Sequence, residues 1–88
     1  MAVSLPLLTR SQGAHIRELL LDRRLRAREG VFVVEGAHAV RDLLTRFPEQ
    51  ILTIVTAHGY LAKEGQGDRL VRLAASTQQC SCSDLQFS

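Results

Sequence analysis

RRLRAREGVFVVEGAHAVRDLL, residues Arg23 to Leu44, decides how this chain is read. It opens on an arginine cluster, passes Gly30 into the apolar run Val31-Phe32-Val33-Val34, and turns at Glu35-Gly36. A short β-branched and aromatic run bounded by glycines has the pattern of an interior strand buried on both faces. Beyond Gly36, Val40, Leu43, Leu44 and Phe47 recur at i, i+3, i+4 and i+7, the spacing of a helix packed on a sheet. Pro48 ends that helix. Ile51 to Thr56, ILTIVT, reads as a second strand. Strand, helix and strand at this spacing predict a βαβ unit with parallel strands and a right-handed crossover. The fold class is therefore α/β.

Working outward, residues 1–10 read as a flexible arm in which Pro6 discourages regular structure. A first helix is expected to start near Ser11 or Gln12, with Ile16, Leu19 and Leu20 as its apolar stripe. It should fade between Asp22 and Arg28, in part into a second short turn, and Gly30 marks the stop. Downstream, Ala57 to Lys63 reads as a short helix and Glu64-Gly65-Gln66-Gly67 as a loop. Asp68 is the expected N-cap of a helix reaching about Ser76, with Leu70, Val71, Leu73 and Ala74 on its buried side. Gln79 to Ser83 is the expected third strand, and Ser83-Asp84 resembles the cap of a further helix.

The 88 residues fit one domain, large enough to bury a core of modest stability. No apolar run approaches the roughly 18–20 residues that cross a bilayer, and the N-terminus lacks the features of a signal peptide. The reading is a cytoplasmic chain with no membrane partner. Cys80 and Cys82 would lie on one side of a strand, where disulfide geometry is rarely met, so a reduced pair is expected. The net charge is only +2, but its placement is uneven. Between Arg10 and Arg28 six arginines face two acids, a local charge of +4. Ten of the eleven basic residues are arginine, the side chain suited to forked contacts with phosphate. The plainer reading of the same residues is a solvated helix face.

Catalysis needs converging groups, and few are offered. His15, His38 and His58 fall on different elements, and Cys80-x-Cys82 is not a zinc or redox spacing. No nucleophile elbow, P-loop or dinucleotide fingerprint is present. Glu35 could act as a base at a strand end, although a local partner, a backbone amide or a nearby arginine, is the simpler expectation. No metal and no catalytic residue is assigned. Binding remains, because phosphate contacts need clustered cations rather than catalytic geometry. Phe32 and Phe47 read as core, which disfavours base stacking on a sheet and favours a folded RNA read through its backbone.

Thr9-Arg10-Ser11-Gln12, Ile16-Arg17, Leu19, Arg26, Arg28, the run Gly30 to Gly36 and Val40 together resemble a known family. It is the N-terminal substrate-binding domain of SpoU/TrmH-type RNA ribose 2′-O-methyltransferases. That family opens on a pattern like S-x-Q-N-P-x-[IV]-K and continues with an arginine ahead of G-x-F-[LV]-V-E-G. The resemblance covers roughly residues 9–56; from 57 to 88 only the order of elements agrees. The family's Asn-Pro is Gly13-Ala14 here, and its lysine is Arg17, so the charge survives and the asparagine's hydrogen bonds do not.

The resemblance implies a small α/β sandwich with a mostly parallel sheet, similar to ribosomal and kink-turn RNA-binding proteins. It implies a parent protein whose catalytic domain is absent from this chain, binds S-adenosylmethionine and forms the homodimer. This chain would hold tRNA or rRNA without transferring a methyl group itself, and needs no cofactor. The expected RNA contacts are Arg10, Gln12, Arg17, Arg23, Arg24, Arg26 and Arg28; Gly30, Phe32, Glu35 and Gly36 form the structural motif. The alternatives are an interaction module whose arginines pair with acids of the parent's catalytic domain, and a small enzyme in which Glu35 meets a histidine.

Overall fold

Thr9 begins the first helix. Its hydroxyl accepts from the Gln12 amide at 3.1 Å, and the Gln12 side-chain oxygen accepts from the Thr9 amide at 2.9 Å. This reciprocal capping box satisfies two amides that no helical carbonyl can reach. Helix α1 therefore spans Arg10–Leu21, starting slightly ahead of the expected Ser11 or Gln12. The computed structural model describes residues 5–63 and 65–87.

Asp22 separates α1 from α2, Arg23–Glu29. Its backbone is extended, and its carboxylate accepts from the amides of Arg24 and Leu25. One residue thus ends one helix and caps the next. Helix α2 folds back on α1, so that Glu29 lies 3.0 Å from the His15 ring and Leu19 and Leu25 are buried. Gly30 closes α2 at φ 68. Its amide donates to the Ala27 carbonyl and that of Val31 to the Arg26 carbonyl, the paired bonds of a Schellman stop.

After Gly36, helix α3 covers Ala37–Arg46, a 3-10 turn covers Pro48–Gln50, and strand β1 covers Thr53–Ala57. Helices α4, His58–Leu61, and α5, Gln66–Leu73, lead to strand β2, Gln78–Cys82. The strands are parallel, in register from Thr53 opposite Gln78 to Ala57 opposite Cys82. A parallel pair needs a crossover, and α4 with α5 supply it. The described chain is thus an α/β domain with a two-stranded parallel sheet. Leu44, Ile54, Leu70 and Ala74 form its core, joining α3, β1 and α5, with Val40, Ile51 and Tyr60 packed against them.

Several expectations are corrected here. Val31 to Val34 is not a strand: it carries no strand pairing, and Phe32 is 75% exposed. The βαβ unit lies one element later, between β1 and β2. The reason is that apolar content rewards any burial, whereas a strand also needs a neighbour for its backbone. Here the run leaves the Schellman stop beside the α1–α2 pair, where Phe32 and Val33 line a groove with Leu19, Leu20 and Arg26. Asp68 is not the cap of α5. Gly65 holds that place at φ 80, and Asp68 lies in the first turn, where its charge opposes the positive end of the helix dipole. Glu64, expected in a loop, lies outside the described residues.

Of the expected flexible arm, residues 1–4 lie outside the described residues. Residues 5–8 run beside β2, bridged in parallel at Leu7 and Ser81. The Ser81 amide donates to the Pro6 carbonyl and the Leu8 amide to the Ser81 carbonyl, both at 2.8 Å.

Thr56 is 4% exposed on β1, and its hydroxyl has no hydrogen-bond partner among the described residues. Burying an unpartnered hydroxyl costs about 1–3 kcal/mol. Thr56→Val keeps the β-branched shape and removes that cost. It is expected to stabilise the domain by about 1 kcal/mol in chemical denaturation.

Candidate nucleic-acid interface

The seven expected RNA contacts divide into two groups. Three are committed within the fold. Gln12 completes the capping box. Arg17 Nη2 donates to the Gln86 carbonyl at 2.9 Å, tying α1 to the turn at residues 84–87. Arg26 Nη1 donates to the carbonyls of Leu19 and, at 3.2 Å, Leu20. These carbonyls belong to the last turn of α1, which has no helical donors left and carries the negative end of the helix dipole. A half-buried arginine there is a C-terminal cap supplied by the next helix.

The other four are free. Arg10, Arg23, Arg24 and Arg28 are exposed, and none has a side-chain hydrogen bond or ion pair among the described residues. Arg10 opens α1. Arg24 and Arg28 stand at i and i+4 on α2 and share a face. Arg23 is one turn before Arg26. Two of the three acids near these arginines are occupied: Asp22 caps α2 and Glu29 meets His15. The third, Glu18 on α1, forms no ion pair with an arginine among the described residues. The positive charge of α2 is therefore left facing solvent, able to hold an anion without first breaking an internal pair.

The structural motif keeps its glycines: Gly30 at φ 68 and Gly36 at φ 105 lie where L side chains are strained. Glu35 departs from expectation. It is exposed and has no hydrogen-bond partner among the described residues. Nor does it meet a histidine: His15 pairs with Glu29 and His58 with Ser81. Among the described residues no three or more His, Cys, Asp or Glu side chains gather to hold a metal, and no helix is long and apolar enough to cross a membrane. Cys80 and Cys82 are free, buried thiols. Burial pushes both above the ordinary thiol value, assisted at Cys80 by Cys82 and at Cys82 by Asp84. A thiol held protonated is a poor nucleophile and a poor metal ligand.

The internal roles of Gln12 and Asp22 were signalled by spacing, as Thr9-x-x-Gln12 and as an aspartate ahead of a helical run. The exposure of Phe32 had no such signal. Comparison of the chain with family models, curated proteins and solved structures finds no match.

Proposed function

We propose that this chain is an RNA-binding, substrate-recognition domain of a tRNA or rRNA ribose 2′-O-methyltransferase. In this reading a folded RNA is held for a separate, S-adenosylmethionine-binding domain of the same cytoplasmic parent, which also makes the homodimer. The observation that carries it is the set of four exposed arginines, Arg10, Arg23, Arg24 and Arg28, with no acidic partner among the described residues. Arginine matches phosphate with a planar fork of donors, and unpaired, exposed arginines give affinity without base-specific geometry. The resemblance to the SpoU/TrmH-type domain supports the identity of the parent. A sandwich similar to that of ribosomal and kink-turn RNA-binding proteins belongs to the same proposal; two parallel strands with helices beside them are compatible with it.

The test is a salt titration of binding to bulk tRNA and to a ribosomal RNA fragment. Each phosphate contact contributes about 0.7–0.9 to the slope of log affinity against log salt. Four arginines therefore predict a slope of roughly −3 to −4. No binding at low salt would sink the proposal and leave the interaction-module reading, in which the same arginines face acids of a partner domain.

A further inference from the structure

Phe32 is the unexplained side chain of this face. It is 75% exposed, although burying a phenylalanine is worth about 1.5–3 kcal/mol. It lines an open groove of about 310 Å³ with Leu19, Leu20, Val33 and Arg26. Four of the five lining residues carry apolar side chains, much of the exposed lining is nonetheless polar, no carboxylate lines the groove, and its one charged side chain is a guanidinium. Arg26 spends Nη1 on the α1 carbonyls, while its Nε and Nη2 make no hydrogen bond among the described residues. Arg23, on the same stripe of α2 one turn earlier, is exposed and unpaired.

We propose that this groove receives one unpaired RNA base, stacked on the Phe32 ring, with the adjoining phosphate held by Arg23 and the free nitrogens of Arg26. This inference rests on the RNA-binding reading and refines it. Four arginines alone grip any phosphate backbone, whereas a ring in a groove selects a base out of its stack. The volume lies at the lower end of small-ligand sites, about 300–1,000 Å³, which suits one flat heterocycle. The pairing of aromatic platform and cation is how single strands are held without sequence preference. A base inside a duplex has its faces covered by neighbours and cannot reach Phe32. The substrate feature recognised is thus a loop, bulge or end.

The chain has no tryptophan, so Phe32→Trp places a single reporter in the groove. The full chain would be titrated with a single-stranded 12-mer RNA and with a blunt duplex of the same sequence, following tryptophan emission and, with labelled RNA, anisotropy. The single strand is expected to quench the emission saturably and the duplex to leave it unchanged. Phe32→Ala is expected to weaken single-strand binding about tenfold, with duplex affinity, salt slope and melting temperature unchanged. Equal single-strand affinity for Phe32→Ala and the parent chain, or equal quenching by the duplex, would overturn the inference and leave the RNA-binding reading intact. A fall in melting temperature of more than a few degrees on Phe32→Ala would place the ring in the core and overturn it too. Emission that shifts with protein concentration alone would assign the groove to a second copy of the chain. Absence of any RNA binding at low salt would remove both readings together.

Discussion

Gly67→Ala is expected to lower the stability of the domain by about 1–2 kcal/mol, a melting-temperature loss of roughly 5–15 °C for a chain of this size. Gly67 is buried near the start of α5. A β-carbon there would stand 2.6 Å from the Leu61 carbonyl oxygen and 2.8 Å from the Leu61 α-carbon. Two effects oppose each other. Alanine favours a helix over glycine by up to about 1 kcal/mol, and overpacking against fixed atoms costs about 1–3 kcal/mol or more. The steric cost wins because the obstacle is backbone, which has no rotamer to move into. Gly59→Ala is the informative control. Its β-carbon meets Asp84 at 2.8 Å, but that neighbour is a flexible carboxylate, and the fall should be smaller. Equal melting temperatures for Gly67→Ala and the parent chain would show that α4 and α5 do not approach as described.

Reversing Arg24 and Arg28 together to glutamate is expected to weaken RNA binding roughly a hundredfold near 0.1 M salt and to lower the salt slope by about two. Both are exposed on one face of α2 without internal partners, so the melting temperature should hold within a few degrees. Arg26→Glu is a different experiment. It removes the donor to the Leu19 and Leu20 carbonyls and places a negative charge at the negative end of α1, so it should cost stability first. Comparing the two separates charge that faces solvent from charge that builds the fold. Unchanged RNA affinity for the Arg24/Arg28 variant would remove α2 from the interface.

Helices α1 and α3 and the two paired strands were legible because each carried a local rule, whereas α5 begins at Gln66, inside the expected loop. The i, i+3, i+4, i+7 series from Val40 to Phe47 gave α3. The β-branched Ile51 to Thr56 anticipated β1, and Gln79 to Ser83 anticipated β2, each displaced by one residue or two. Val31 to Val34 shows where such rules stop. Its composition is as strand-like as any in the chain, yet pairing depends on which backbone stands beside it, and no local pattern records that. The same limit applies to the arginines. Their cluster was plain, but that Arg17 reaches Gln86 and Arg26 reaches the end of α1 depends on contacts across 69 and 6–7 residues. Neither the helix stripe nor the charge count distinguishes a capping arginine from a free one.

The amino-terminal segment beside β2 bears on the order of assembly. The Ser81 hydroxyl donates to the Leu5 carbonyl across 76 positions, so the two ends of the described chain are sewn together by one seam. Closing a loop of that length in an unfolded polypeptide costs about 4 kcal/mol in chain entropy, more than two or three backbone hydrogen bonds return. The seam gains only when the helices and β1 have already shortened the distance between its halves. It is therefore expected to form last and to open first. The turn at residues 84–87, held to α1 by Arg17, is expected to close with it, so that the two ends of the described chain are fastened together rather than stacked in sequence.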